Sequence, residues 1–276
     1  MYRIALCLSL VACAASPESQ DPPGALPPAV FLNPPSASSV PTNPVAYTAD
    51  DVLEIDGNWV VVPASYDATH QTPMTLLVWL HGCDGYGSGD IDMISPALNS
   101  DPQDWISLSV GGREGDCWDP DADMAKVTTA LARLKTHFNV KPDGVVLGGY
   151  SSGGDLGYRL IFDHTDLFAG LIAENTSPFR DTGSTQAESL AAATWKVNIL
   201  HLAHLDDTTY PIAGVRAETD AVIAAGFPLT RIERHGGHYD DANKKVYPGS
   251  SQPVPGTTAD LQTYLLPAID AGWHSP

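Results

Sequence analysis

Val145-Val146-Leu147-Gly148-Gly149-Tyr150-Ser151-Ser152-Gly153 is the stretch whose reading decides the fold. Three apolar residues closed by paired glycines describe a short strand buried on both faces. Gly149 to Gly153 spells G-x-S-x-G, and the residues from about Gly153 to Phe162 are expected to form a helix. A serine between such a strand and such a helix sits on a sharp, strained turn, where small residues two positions to either side let the backbones pass closely. The register selects Ser151, since centring the motif on Ser152 would put Tyr150 where glycine is needed. In a chain with 24 glycines the pentapeptide alone is weak. Its place after an apolar strand and before a helix gives it weight.

Outward from that turn, strands and helices alternate. Val60-Val61-Val62 within Gly57 to Pro63 and the continuous apolar run Met74 to Leu80 read as strands, the second covered on both faces. Between Asp119 and Phe138, apolar residues at Met124, Val127, Leu131, Leu134 and Phe138 share one helical face. Asp119-Pro120 suits the N-cap and first helical position. Further strands are expected at Phe168 to Ala173, Val197 to Leu202 and Leu229 to Glu233, with helices at about Ile212 to Ala225 and Thr258 to Ala271. This order predicts an α/β sandwich on a mainly parallel sheet with helices on both faces.

A serine is a poor nucleophile until a base takes its proton, and the resulting imidazolium needs an acid behind it. After the strand Val197 to Leu202, Asp206 and Asp207 are both placed to supply that acid. After Leu229 to Glu233, Gly236-Gly237-His238 offers the base, with His235 as its competitor. His81-Gly82-Cys83-Asp84 forms the turn after Met74 to Leu80. The acidic stretches Asp84 to Asp92 and Asp119 to Asp123 match no complete calcium loop and read as solvated loops.

With these segments in place, the chain resembles the feruloyl esterase and polyhydroxybutyrate depolymerase group of α/β-hydrolases. The resemblance runs from about Gly57 to His238. It rests on P-x-x-Y-D at Pro63 to Asp67, L-x-x-W-L-H-G-C at Leu76 to Cys83, C-W-D at Cys117 to Asp119, the G-x-S-x-G turn and G-G-H. It implies the α/β-hydrolase fold and a serine esterase that works through an acyl-enzyme, with Ser151, Asp207 and His238 as the triad and no metal or organic cofactor. Asp207 is preferred over Asp206 because many hydrolases place the acid four residues before a proline, here Pro211, with Tyr210 in place of the usual valine. In this fold the backbone N–H groups of Cys83 and Ser152 would form the oxyanion hole. Trp118, Tyr150 and Tyr210 are candidates for a substrate pocket or for ordinary core packing. A feruloyl or other phenolic ester and an apolar polyester both suit an aromatic pocket.

The remaining sequence sets the context. A chain of 276 residues with 43% hydrophobic content can bury one large core. The formal charge of -19, from 33 acidic and 14 basic residues, disfavours nucleic acid as a partner. Met1-Tyr2-Arg3 followed by Ile4 to Ala12 reads as an export signal too short to span a bilayer. Leu10-Val11-Ala12-Cys13 resembles a bacterial lipobox and makes Cys13 a lipidation candidate at the cell envelope. The competing reading is ordinary cleavage after Ala14. The expected organisation is a signal segment 1-12, a Pro/Ser-rich tether 13-50 and a catalytic domain 51-276, and nothing fixes the oligomeric state. With Cys7 and Cys13 accounted for by export, Cys83 and Cys117 remain, and an exported pair is expected to form a disulfide rather than stay as free thiols.

Two rival functions come from the same residues. His201-Leu202-Ala203-His204 and His235-Gly236-Gly237-His238 are H-x-x-H pairs that a metal-dependent hydrolase would use. On a strand, however, residues three apart point to opposite faces. A non-catalytic surface-binding protein is the other rival, and it would have no need of a complete triad.

Overall fold

A computed structural model describes residues 40–180, 186–193 and 196–270. The signal segment 1-12, Cys13 and most of the tether lie outside the described residues.

The first half of the chain forms β1 (Val52–Ile55), β2 (Asn58–Val61), β3 (Met74–Leu80), α1 (Gly87–Ile94), β4 (Trp105–Ser109), α2 (Pro120–His137) and β5 (Val140–Tyr150). Then come α3 (Ser152–Asp163), β6 (Gly170–Glu174), α4 (Gln186–Ala192), β7 (Asn198–His204), α5 (Ile212–Ala224), β8 (Leu229–Arg234), α6 (Thr257–Asp260) and α7 (Pro267–Asp270). The strands form one sheet in the order β1-β2-β4-β3-β5-β6-β7-β8. β1, β2 and β4 pair antiparallel, and every pairing from β4 through β3 to β8 is parallel.

The unbroken apolar run of β3 follows from its central position. Leu76, Val78 and Leu80 point into a core shared with Val127, Leu131 and Leu134 of α2 and Leu156, Leu160 and Ile161 of α3. Leu77 and Trp79 point the other way, into a core with Ile91 and Ile94 of α1 and Leu261 and Leu265 near the C-terminus. Helices therefore cover both faces, and neither face of β3 meets water. α2 begins as its sequence predicts, with the Asp119 carboxylate accepting from the backbone N–H groups of Asp121 and Ala122.

The structure departs from the sequence reading in four places. The segment from Pro41 to Asp50 is no tether: the Asn43 N–H donates to Thr136 O at 2.8 Å, and Tyr47 meets Tyr66 and Phe138 edge-on. The folded domain thus starts about ten residues before Asp51, because scattered apolar residues suffice when they dock on a surface the sheet has already made. Asp84 to Asp92 is not a simple solvated loop, since most of α1 lies in it and the Trp79 indole N–H donates to Asp90 at 2.8 Å. Asp123, in the second acidic stretch, is buried and accepts from Arg113 and Lys126. The helix expected from Thr258 to Ala271 is broken into α6, a π-helical turn at Leu261–Leu265 and α7. Pro267 has no N–H to continue the ladder, so the chain starts afresh there.

Candidate active site

β5 ends at Tyr150 and α3 begins at Ser152, leaving Ser151 alone at the bend with φ 53° and ψ -125°. That conformation is strained for a residue with a side chain, and it projects the serine above the carboxyl edge of the sheet. A Cβ on Gly153 would lie 2.1 Å from Leu80 O and 2.4 Å from His81 O, and one on Gly149 would lie 2.5 Å from Gly153. The flanking glycines are therefore there for close approach, as the motif predicts. The Ser151 N–H donates to Glu174 O at 3.0 Å, which ties the bend to β6.

Ser151, His238 and Asp207 meet at this bend. His238 Nδ1 lies 2.8 Å from Asp207 Oδ2, and a carboxylate can only accept, so Nδ1 carries the proton. Nε2 is then left to accept from Ser151 Oγ at 2.9 Å. Asp207 is held in turn, its other oxygen accepting from the N–H groups of Thr209 at 2.7 Å and Tyr210 at 3.1 Å. Asp206 and His235 form a separate pair at 3.0 Å, so the two aspartates and the two histidines left open by the sequence sort themselves by contact.

The loop bearing His238 is fastened at its backbone. The His238 carbonyl accepts from the Tyr150 hydroxyl at 2.7 Å and from Asn175 Nδ2 at 2.9 Å. Gly237 N–H donates to Asp240 at 2.6 Å. A Cβ on Gly236 would meet His204 Nδ1 at 2.7 Å and one on Gly237 the Tyr247 hydroxyl at 2.5 Å, so this glycine pair also serves close packing. Asn175 takes a left-handed φ of 45°, which asparagine tolerates better than most residues. Sequence reasoning missed Asn175. The usable signal was a polar Glu174-Asn175 pair at the carboxyl end of a buried parallel strand, where sites in α/β sheets gather.

The aromatic candidates divide. Tyr150 lines a cleft beside the bend, and its hydroxyl is engaged by His238. Burial first, then the negative charges of Glu174 and Asp207, push its phenol above the ordinary range. Tyr210 is buried, donates to Asp155 of α3 and lies with its ring 5.5 Å from that of His238. Trp118 does not line that cleft. It is buried, packs at a tilt against the His81 ring and donates its indole N–H to the His81 carbonyl at 2.8 Å, a packing role that steadies the turn. Cys83 of that turn is bonded to Cys117. A Cβ on Gly82 would lie 3.3 Å from Ser151 Cβ, which places the turn directly against the serine. Both ring nitrogens of His81 face backbone carbonyls, at 2.7 and 2.8 Å, so this histidine shapes the turn.

The H-x-x-H pairs are split by the fold. His201 points to the Tyr158 hydroxyl, 2.8 Å away, while His204 Nε2 points to Asp260, 3.1 Å away on the other face of the sheet. Burial, then the nearby Arg231 charge, lowers the His201 imidazole to about 3. His235 and His238 are divided between Asp206 and Asp207.

No family model and no curated relative matches the chain. Among solved structures it is similar to Thermogutta terrifontis esterase 2, at 15% identity over 82% of this chain and 96% of that one, with a TM-score of 0.54. The same esterase phosphorylated by paraoxon matches with a TM-score of 0.55. A fluorophosphonate-binding serine hydrolase of Staphylococcus aureus matches at 13% identity over 71% of this chain and 92% of that one, with a TM-score of 0.52. A thermostable esterase matches at 15% identity over 65% of this chain with a TM-score of 0.54, and the chain spans half (50%) of its length. Strand order, the bend at Ser151 and these likenesses agree: the chain has the α/β-hydrolase fold.

Proposed function

We propose that this protein is a serine carboxylic ester hydrolase that works through an acyl-enzyme. The carrying observation is the relay from Ser151 Oγ through His238 to Asp207, with steps of 2.9 and 2.8 Å on a strained bend. Neighbours of the same fold named as esterases and serine hydrolases, one of them phosphorylated by paraoxon, support the reading.

In this mechanism Ser151 Oγ attacks the ester carbonyl carbon as its proton passes to His238 Nε2, and Asp207 balances the imidazolium. The backbone N–H groups of Cys83 and Ser152 hold the oxyanion. His238 then gives the proton to the departing alcohol, the C–O bond breaks, and water repeats the sequence to free the acid. No metal or organic cofactor enters any step. Phenolic and polyhydroxyalkanoate-type esters are the acyl classes that the resemblance implies, and we propose export with Cys13 as a lipid anchor.

The test is turnover of short nitrophenyl esters together with labelling by a fluorophosphonate. Ser151→Ala is expected to lose both while remaining folded, and Ser152→Ala to keep most activity because alanine retains the N–H. Wild-type-like turnover by Ser151→Ala would overturn the mechanism. The mass of the mature N-terminus decides the anchor.

A further inference from the structure

Beside the bend opens a cleft of about 600 Å³, with Cys83 and Tyr150 on its wall towards Ser151. Two acidic residues are also among those that line it, Asp90 of α1 and Glu174 at the end of β6. Glu174 is 0% exposed, and neither of its oxygens accepts a hydrogen bond. It is the in-register partner of Tyr150, and its own carbonyl receives the Ser151 N–H, so it lies level with the nucleophile. A buried carboxyl without a donor is costly, because nothing replaces the water it gave up. Burial holds the Glu174 carboxyl well above the usual range, and Asp260 and Asp90 push it further. Asp90, although it accepts from the Trp79 indole, is also raised, first by burial. Among the described residues no lysine, arginine or histidine lines the cleft.

The rim adds a second, independent signal. Tyr86, at the head of α1, is 53% exposed, and Tyr239, directly after His238, is 58% exposed. Both line the same cleft. Exposed tyrosine faces attract a cation by the ring quadrupole. The net charge of -19 steers cations to the molecule at long range.

We propose that this cleft takes an ammonium group carried by the ester that Ser151 cleaves, with Glu174 as its counter-ion and Asp90 as the second carboxylate. The proposal rests on the ester-hydrolase reading above. An ammonium supplies both things the cleft lacks, N–H donors for the orphaned oxygens and a positive charge that lets the carboxylates ionise. A neutral hydroxyl supplies only the first.

The test uses the full chain, with nitrophenyl acetate as the reference ester. Two cationic esters are compared with their uncharged carbon isosteres: dimethylaminopropyl acetate with isohexyl acetate for the alcohol side, and ethyl dimethylaminobutyrate with ethyl isoheptanoate for the acyl side. In at least one pair, kcat/KM should favour the cationic ester by about tenfold or more, the scale of a partly desolvated ion pair. Glu174→Gln should bring that ratio close to one, and Asp90→Asn should lower it, each read against the variant's own turnover of nitrophenyl acetate. Ratios at or below one in both pairs for the wild type would overturn the proposal without any variant being made. A preference that survives intact in Glu174→Gln would overturn it too. A hydroxyl-bearing analogue matching the cationic ester would reassign the cleft to a neutral polyol. If nitrophenyl acetate and all four esters are inert, it is the ester-hydrolase reading that has failed.

Discussion

Asp207 Oδ2 reaches His238 while Asp206 Oδ2 reaches His235, so neighbouring carboxylates on one loop serve different histidines. Losing a triad acid leaves the imidazole in the wrong tautomer and lowers turnover by about four orders of magnitude. Asp207→Asn is expected to show such a loss in kcat. Asp206→Asn should stay within about tenfold, since it removes one hydrogen-bonded pair away from the serine. Reversed severities in steady-state kinetics would move the acid to Asp206. Glu174 permits a test by pH. In the unfolded chain it titrates near its ordinary value of 4.5, whereas the folded protein keeps it protonated well above that. Its burial therefore carries no ionisation penalty below pH 4.5, and stability is lost as pH rises from there through the folded-state value. Glu174→Gln should thus gain Tm over the wild type at about pH 8 and little at about pH 4. Thermal melts at the two values check this. At this scale the sequence marked the serine plainly, because a strained bend demands glycines at fixed offsets. For Glu174 and Asn175 it offered only a polar pair at the end of an apolar strand, because their roles depend on β6 lying beside β5.

Glycines illustrate how an element is fixed by its neighbours. Gly153, in the first turn of α3, is pressed against the carbonyls of Leu80 and His81 at the end of β3, and no side chain can be admitted there. Gly214, near the start of α5, has nothing within 4 Å of where its Cβ would be. Gly153→Ala should displace the bend and abolish esterase activity, with a large drop in Tm. Gly214→Ala should raise stability by about 0.5 to 1 kcal/mol, the helix-propensity difference, as read by urea unfolding. Local patterns explain why β3 and α2 were legible almost to the residue: one is an apolar run between two covered faces, the other an amphipathic helix with its own cap. α1 was not legible, because Gly87-Ser88-Gly89-Asp90 opens it with poor helix formers and only the burial of Ile91 and Ile94 makes it worthwhile. Residues 41–50 were missed for the converse reason. Their composition suits an unfolded tether, yet Val45 and Tyr47 find a core already built by other segments.

Across the whole molecule, the Cys83–Cys117 bond joins the turn beside Ser151 to the entry of α2, 34 residues away. Closing a loop of that length stabilises the fold by about 4 kcal/mol in the chain-entropy model. Reduction should therefore lower Tm by several degrees, and activity should fall with it because Cys83 lies on the proposed oxyanion turn. Retention of both after complete reduction, checked by thiol counting, would show that packing alone fixes the turn. The double anchorage of the His238 carbonyl carries a consequence for behaviour on heating. The segment beyond it, from about 241 to 253, is mostly exposed, and none of its residues belongs to the packed apolar clusters. Such a segment can breathe while the two cores stay intact. If it lifts, the links to Tyr150 and Asn175 part, and the imidazole leaves the serine with the strands still paired. Catalysis should then fade at temperatures below the melting transition and return on cooling. Amide exchange should be faster around 241–253 than in β5, so that the working limit of the protein is set by one loop and not by the stability of its fold.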